Sequence, residues 1–478
     1  MSAASALGNI KAEEKVFHRK IFYQCCDFLE NSRKSVLVIS GPRKCGKTFC
    51  LRQLSSEFGY DYYNFKNLNT DEAEELLLEL MSREEGVILL DEVTYIEGLF
   101  QWISKLDEIK FDKPNLKFVI TASQSYALYV TVSTAVGANA EFIRTSFIDF
   151  EEWLVYRNKI SYGDSYEPTE DDFLDYISGG NIFTGILNNL DYIDDCVHET
   201  IVSESKSFYA INGIAHGTND VSTVALFFMY MSLFDLHNRR SFARKNDYPN
   251  SLASIRISGG DDINYIKRSV FMDRVYNKLA NLIIKVQKLT VYDIRNALRL
   301  LEQADLITIV EVSDDKFKLE KTEFLQSNNT TDIDKSDLFD NINIVPKNPI
   351  FYVNMLHEVL HELQREQLIK VLPKDLIGSI YECVIRGLFT YQDETNYQIE
   401  FQYDGGEIDY VNLGTREAIE ISVGKNHTTK HFSMLPDSFS KLIITASDSE
   451  VIGDIKNENY LKILLELSRG NFVKRIVK

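Results

Sequence analysis

The run Val36–Cys50, VLVISGPRKCGKTFC, constrains this chain of 478 residues more than any other segment. It has the spacing G-x-x-x-x-G-K-T, with Gly41, Gly46, Lys47 and Thr48 in the signature positions. The residues before the loop are β-branched and apolar, as in a parallel strand that is buried on both faces. The residues after it, FCLRQLSSEF, place apolar side chains at helical spacing. Strand, loop and helix together predict backbone N–H groups that curl around phosphate oxygens at a helix N-terminus.

Two later apolar runs end in polar residues that nucleotide chemistry requires. The run GVILLDEVTYI carries Asp91, which is expected to hold Mg²⁺ together with Thr48, and Glu92, which is expected to polarise the attacking water. The run LKFVIT leads into Ser123 and Gln124, and one or the other is expected to sense the γ-phosphate. Asp-Glu after a strand is also a common helix N-cap. The glycine loop, the acidic strand end and the polar strand end follow one another in the order that nucleotide-binding proteins of this type have. They predict Mg²⁺-dependent binding of ATP or GTP, and the residues leave the choice between the two nucleotides open.

Composition limits the other function classes. Hydrophobic content of 44% and charged content of 26% are typical of globular proteins, and the length predicts two to four domains. A net charge of −19 means that contact with nucleic acid requires a local basic patch. Six cysteines without C-x-x-C pairs favour reduced thiols. Without an apolar run of about 20 residues or a secretory signal, we expect a cytoplasmic protein that does not cross a membrane.

Four motifs resemble those of bacterial and archaeal ATPases related to the AAA+ class: GPRKCGKT, ILLDEV, FVITASQS and FIRTSFIDFEEWL. The resemblance implies a P-loop ATPase that uses ATP and Mg²⁺. Arg19 is similar to an arginine that precedes the P-loop in that family. The implied nucleotide-binding residues are Arg19, Gly41, Pro42, Arg43, Lys44, Cys45, Gly46, Lys47, Thr48 and Phe49. The implied catalytic residues are Lys47, Glu92, Ser123 and Arg144.

One departure from the family pattern concerns the transition state. Family members carry a Gly-Arg pair where this chain has Gly137-Ala138. An arginine at that position is suited to stabilise the charge that develops during phosphoryl transfer. Arg144 is a candidate substitute, and an ion pair at the surface or lid is the alternative role. The departure predicts hydrolysis that is slow or depends on a partner.

The expected fold class is α/β: a P-loop NTPase parallel sheet, a helical lid, a winged-helix-like middle region and a C-terminal α/β nuclease-like domain. The predicted boundaries are 1–160, 161–215, 216–345 and 346–478. The lid is expected around the helix break at Gly179-Gly180.

The segment KLTVYDIRNALRLLEQADLITIV predicts a helix followed by a strand, as in a winged-helix module. Thr290 is expected to cap the helix, and Ile294, Leu298 and Leu301 are expected to share one face. Arg295 and Arg299 lie four residues apart on this helix. They are candidates for DNA contact, with a solvated structural face as the alternative.

The C-terminal part resembles the restriction-endonuclease core, in which carboxylates bind a divalent metal. The matching residues are Glu382 in a predicted helix and Asp409 and Glu420 on adjacent predicted strands. Ser422 stands where that core has a lysine, although Lys425 follows nearby. Two readings stay open, namely an inactive structural or binding domain and a working metal-dependent nuclease.

His357-Glu358-Val359-Leu360-His361 spells H-E-x-x-H, in which two imidazoles on one helix face bind zinc. The alternative is an ordinary amphipathic helix, because Leu360 fills a position usually held by a small residue. The sequence thus favours an ATPase that acts as a nucleotide-controlled switch or motor. Its alternatives are an ATP-regulated DNA nuclease and, more remotely, a zinc protease. The expected partners are a nucleotide, DNA at the winged-helix-like or nuclease-like region, and a second copy or another protein.

Overall fold

The computed structural model describes most of the chain in separate ranges. These are 17–136, 139–177, 223–224, 227, 281–282, 285–286, 288–303, 306–314, 342–346, 374–392, 398–403, 406–422, 429–446 and 450–470. Several predictions lie outside them, namely the Gly137-Ala138 pair, the Gly179-Gly180 break, Lys425 and the H-E-x-x-H motif. Within the described ranges, every helix is too short or too polar to cross a bilayer.

The first sheet contains five parallel strands in the order β2-β3-β4-β1-β5. Its strands are β1 (Val36–Ser40), β2 (Asp61–Asn64), β3 (Gly86–Asp91), β4 (Leu116–Thr121) and β5 (Ala140–Arg144). The helices around it are α1 (Lys20–Asn31), α2 (Lys47–Phe58), α3 (Thr70–Ser82), α4 (Leu99–Asp112), α5 (Ser125–Ala135), α6 (Phe150–Tyr156) and α7 (Glu170–Asp175). This is the parallel α/β sheet that the P-loop motif predicted.

Alternating side chains of the central strands bury both faces of this sheet. In β1, Val36 and Val38 pack in one core with residues of α3, α4 and α5. Leu37 and Ile39 point to the opposite face and pack with residues of α1 and α2. All four side chains are fully buried. The strand that delivers the loop is therefore fixed from both sides, as the continuous apolar sequence predicted.

The second sheet has eight strands in the order β12-β13-β11-β10-β9-β8-β6-β7. Its strands are β6 (Ile307–Ser313), β7 (Ile342–Pro346), β8 (Gln398–Tyr403), β9 (Gly406–Asn412), β10 (Glu417–Ser422), β11 (Ser440–Thr445), β12 (Glu450–Ile452) and β13 (Ile455–Asn459). The helices in this part are α8 (Val291–Gln303), α9 (Lys374–Gln392) and α10 (Tyr460–Ser468). Strands β8, β9 and β10 form an antiparallel meander, and β11 runs parallel to β10, which makes the sheet mixed.

Helix α8 begins as the sequence predicted. The Thr290 backbone N–H donates to Asp293 at 2.8 Å, and the Asp293 N–H donates to the Thr290 hydroxyl at 3.2 Å. The predicted apolar face of this helix is buried. The strand that follows, β6, pairs with β7 on one side and with β8 on the other. Because β6 precedes the predicted boundary between residues 345 and 346 and β8 follows it, strands from both sides of the boundary belong to one continuous sheet.

Aromatic and polar contacts join the two sheets. The Glu170 carboxylate in α7 accepts hydrogen bonds from the hydroxyls of Tyr381 in α9 and Tyr460 in α10. The ring of Phe173 stacks on Tyr381 with centroids 4.3 Å apart. Arg469, directly after α10, donates to Glu151 of α6 at 2.8 Å. The C-terminal helices thus rest on the segment that follows the last strand of the first sheet.

Candidate nucleotide-binding site

Polar residues follow the strands of the first sheet at one edge. Because all five strands are parallel, their carboxyl ends meet there. Strand β4 lies between β1 and β3, so the segment after β4 lies between the loop after β1 and the acidic pair after β3. In open α/β sheets, ligands bind at this edge.

The loop after β1 holds the ammonium group of Lys47 in its centre. Lys47 Nζ donates to the carbonyl oxygens of Gly41 at 2.7 Å and Pro42 at 2.8 Å, and the side chain is 7% exposed. Gly46 has a φ of 92° and precedes the first residue of α2. Helix α2 therefore begins at Lys47, as predicted, and presents its N-terminal N–H groups to the loop.

Gly41 makes the close approach of the loop to β5 possible. Its φ is 145°, and a Cβ added there would overlap the carbonyl oxygen of Thr145 and lie 2.9 Å from Thr145 Cγ2. The Thr145 N–H donates to Ser40 at 2.8 Å, which fixes this segment beside the loop. The conformation and the space at this position both require glycine.

Gly41→Ala is expected to destabilise the protein by at least about 2 kcal/mol and to weaken nucleotide binding at least tenfold, because the added Cβ must displace the Thr145 backbone. Thermal unfolding and equilibrium nucleotide titration measure the two effects. Gly59→Ala is the matched control: its φ is 72°, and an added Cβ meets nothing within 4 Å. It should cost about 1 kcal/mol and leave nucleotide affinity unchanged. Equal affinities of the two variants would contradict this role of Gly41.

Thr48 and Asp91 come together as a pair of oxygen ligands. The Asp91 carboxylate accepts from the Tyr62 hydroxyl at 2.8 Å and from Asn64 Nδ2 at 3.0 Å, and the Thr48 hydroxyl lies close enough to lower its pKa. The pKa of Asp91 is raised above its usual value, because burial outweighs the interactions with Tyr62 and Thr48 that lower it. Hydroxyl and carboxylate oxygens at the phosphate loop fit the preference of Mg²⁺ for hard oxygen ligands. These residues would hold the metal that accompanies a nucleotide.

Glu92 is oriented by the residue that was predicted to sense the γ-phosphate. The Ser123 backbone N–H donates to Glu92 Oε2 at 3.0 Å, and the Ser123 hydroxyl donates to Oε1. Glu92 itself has a φ of 59°, a left-handed conformation that is uncommon for a residue with a Cβ. The contact joins the ends of β3 and β4 and fixes the carboxylate beside Asp91.

Arg19 lies against the main chain of the loop. Its side chain is buried, and its guanidinium donates to Glu152 Oε2 at 2.7 Å and to the carbonyl oxygens of Cys45, Ser146 and Phe147. Burial alone would raise the pKa of Glu152, but the charge of Arg19 holds it below its usual value. This geometry makes Arg19 a positioning residue for the loop, and direct contact with a nucleotide stays a prediction.

The remaining predicted site residues lie at the same edge. Arg144 ends β5, is exposed, and is in register with Ser40 directly before the loop. Arg43 and Lys44 are half-buried, Phe49 is 38% exposed, and Cys45 is fully buried. Gln124 precedes the first residue of α5.

One of the carboxylates predicted for a second metal, Asp409, is paired with a buried arginine. Arg386 Nη1 donates to Glu400 Oε2 at 3.2 Å and Nη2 lies 3.5 Å from Asp409 Oδ1. Burial and the charge of Asp409 raise the pKa of Glu382 well above its usual value and that of Glu420 to about 10. Over the described ranges, no three His, Cys, Asp or Glu side chains are grouped as a metal site. The mutual effects on the pKa values place Glu382, Asp409 and Glu420 near one another, and their role as ligands of a second metal stays a prediction.

Several residues at these sites were not predicted. Tyr62 and Asn64, which hold Asp91, lie in β2, and a polar strand end is the available signal in the sequence. Glu152 lies in the motif FIRTSFIDFEEWL and forms a D-x-x-E capping box with Asp149, which is the available signal there. Arg386 and Glu400 carry no such signal, because their partners are on other elements.

The family match found among known proteins covers the part of the chain that forms the first sheet. Residues 33–154, about a quarter of the chain, match a family model described as AAA domain. A comparison with curated proteins gives no significant match.

Similar solved structures include a Walker-type ATPase of Pyrococcus abyssi, with 14% identity, a TM-score of 0.35, and coverage of 73% of this chain and 97% of that one. The Thermotoga maritima RuvB Holliday junction branch migration motor shares 12% identity over 61% of this chain and 89% of its own, with a TM-score of 0.28. AMPPCP-bound DnaA from Aquifex aeolicus shares 13% identity over 59% of this chain and 85% of its own, with a TM-score of 0.27. Similarities of this size do not establish a shared overall fold. The specific finding is that residues 33–154 of this chain are similar to AAA domains.

Proposed function

We propose that the chain binds ATP with Mg²⁺ and hydrolyses it at the edge of the first sheet. One observation carries the proposal: the ammonium of Lys47, the Thr48–Asp91 pair and the Glu92–Ser123 pair meet at the ends of adjacent parallel strands. Each pair supplies a different requirement of phosphoryl transfer.

The roles follow from the chemistry of each group. Lys47 neutralises the β- and γ-phosphates, and the N–H groups at the start of α2 bind phosphate oxygens. Thr48 and Asp91 hold Mg²⁺, which neutralises charge on the phosphates when it is bound. Glu92 takes a proton from the attacking water, and Ser123 keeps its carboxylate in place. Arg144, exposed beside the loop, stabilises the charge that develops in the transition state. Hydrolysis with Arg144 alone is slow, and an arginine from a partner can accelerate it.

The same site is proposed to act as a switch on the C-terminal part. Arg19 contacts the loop through Cys45 and is paired with Glu152. The next residue, Lys20, donates its backbone N–H to Glu152 at 2.8 Å and its ammonium group to the carbonyl oxygen of Ser468 in α10. A nucleotide that moves the loop would therefore change the contacts of α10. We further propose that the second sheet has a nuclease-like fold. Its conformation changes with the nucleotide that is bound, but it does not cleave DNA.

Hydrolysis by the wild type and by Lys47→Ala tests the ATPase proposal. We expect Lys47→Ala to reduce ATP affinity or turnover about 100-fold, because one charge-assisted contact with phosphate is lost. Lys66→Ala, which removes an exposed lysine, is the matched control and should behave as the wild type. The same assay with GTP identifies the preferred nucleotide. Unchanged turnover in Lys47→Ala would overturn the proposal.

Hydrogen exchange on the same proteins tests the switch. ATP should slow exchange in residues 41–48 and change it in residues 460–468, and Lys47→Ala should show neither effect. If only residues 41–48 respond, the switch is rejected and the ATPase stands.

A further inference from the structure

The strongest unassigned feature lies in the second sheet, where a buried arginine is surrounded by carboxylates. Arg386 is 5% exposed, and two of its partners, Glu400 and Asp409, are 2% and 5% exposed. Arg386 follows Glu382 by one helical turn on α9, so both side chains face the same part of the sheet. A guanidinium is fully charged at any physiological pH and cannot release its proton to relieve crowding with another cation.

Both oxygens of Asp409 are already engaged. Oδ1 lies 3.5 Å from Arg386 Nη2, and Oδ2 accepts from the Ile421 backbone N–H at 2.6 Å. Asp409 is the carboxylate that a metal shared with Glu382 and Glu420 would have to use. A divalent ion on Asp409 Oδ1 would have to displace the guanidinium that lies against the same oxygen.

Moving the guanidinium away is also unfavourable. Arg386 Nη1 holds Glu400 at 3.2 Å, and Glu400 lies on β8 in the middle of the sheet. A buried carboxylate that loses its cation is left without compensation, which is among the most destabilising changes in a protein interior. The ion pair therefore resists displacement by a metal.

We propose that Arg386 takes the place of the divalent ion in the nuclease-like site, so that Asp409 and Glu400 of the second sheet are permanently paired with a cation that is not a metal. The cation is covalently part of the chain and cannot activate water or leave. This also accounts for Ser422, since a site without metal chemistry does not need the lysine that assists it. The proposal rests on the nuclease-like fold proposed for this sheet and is independent of ATP hydrolysis at the P-loop.

Binding of Mn²⁺ alone, measured by electron paramagnetic resonance on nucleotide-free protein, tests the proposal. Wild type and Glu420→Gln are expected to bind Mn²⁺ equally, because Glu420 belongs to no metal site in the wild type. Arg386→Met/Glu400→Gln removes both members of the ion pair at nearly constant volume. It should gain one Mn²⁺ site at least about 100-fold tighter than any Mn²⁺ binding of the wild type at this cluster. Adding Asp409→Asn to that variant should abolish the new site.

Three results would overturn the proposal. The first is a wild-type Mn²⁺ site that Glu420→Gln weakens, and the second is metal-dependent DNA cleavage by the wild type that Asp409→Asn abolishes. The third is a folded Arg386→Met/Glu400→Gln variant that gains no site. The wild-type measurements decide the matter even if the double variant does not fold. ATP turnover of every folded variant should be unchanged, so failure here is distinguishable from failure of the ATPase proposal.

Discussion

Glu92→Gln is expected to lower the rate of ATP hydrolysis by about 10² to 10⁴-fold while ATP affinity stays within about threefold of the wild type. Glutamine keeps the size of the side chain, and its carbonyl oxygen can still accept from the Ser123 backbone N–H while its amide nitrogen donates to the Ser123 hydroxyl. It cannot take a proton from water, so only the chemical step is affected. Single-turnover hydrolysis and equilibrium titration with labelled ATP separate the rate from the affinity.

Two variants show whether the effect belongs to Glu92. Glu97→Gln removes an exposed carboxylate five residues further along the chain and should leave turnover unchanged. Ser123→Ala removes one of the two hydrogen bonds that orient Glu92 but keeps the backbone N–H, so a loss of about tenfold is expected. A Glu92→Gln variant that hydrolyses ATP at the wild-type rate would assign the base to another group. A loss of ATP binding would instead show that Glu92 contributes to ATP affinity before the chemical step.

The sequence was sufficient to predict that Lys47, Asp91 and Glu92 lie at one edge of the first sheet, because the determinants of their positions are local. A buried strand, a glycine loop and a helix start occupy consecutive residues, and the structure has α2 beginning at Lys47 as predicted. Asp91 ends β3 and Glu92 directly follows it, so their position at the sheet edge follows from the direction of the strand. Thr290 at the start of α8 was predictable for the same reason, since a capping residue acts on the next turn.

Pairing between distant segments could not be predicted in this way. Strand β6 joins β8 across the predicted domain boundary, and the sequence of a strand does not identify its neighbour. Arg386 lies in the helix predicted around Glu382, but nothing in the sequence indicated that it pairs with residues on two strands of the following meander. Periodicity shows which face of a helix is buried, but it does not show which buried charges meet.

Arg19→Met is expected to lower the free energy of unfolding of the first sheet by about 3 to 5 kcal/mol, because it leaves Glu152 buried without its cation. The side chains of Arg19 and Glu152 are 5% and 2% exposed, so solvent cannot replace the lost contact. Urea unfolding followed by tryptophan fluorescence measures the effect in the right place. The chain has two tryptophans, Trp102 and Trp153, and both lie in the part that surrounds the first sheet.

A double-mutant cycle separates the ion pair from the loss of packing. Arg19→Met/Glu152→Gln removes both charges and should recover at least about 2 kcal/mol of the single-variant loss. Arg83→Met breaks a partly exposed pair with Asp61 and should cost no more than about 1 kcal/mol. If Arg19 mainly bound the nucleotide, Arg19→Met would unfold at the same urea concentration as the wild type and lose only ATP affinity. Loss of stability without nucleotide, recovered in the double variant, would instead show that Arg19 holds the loop in place before ATP arrives.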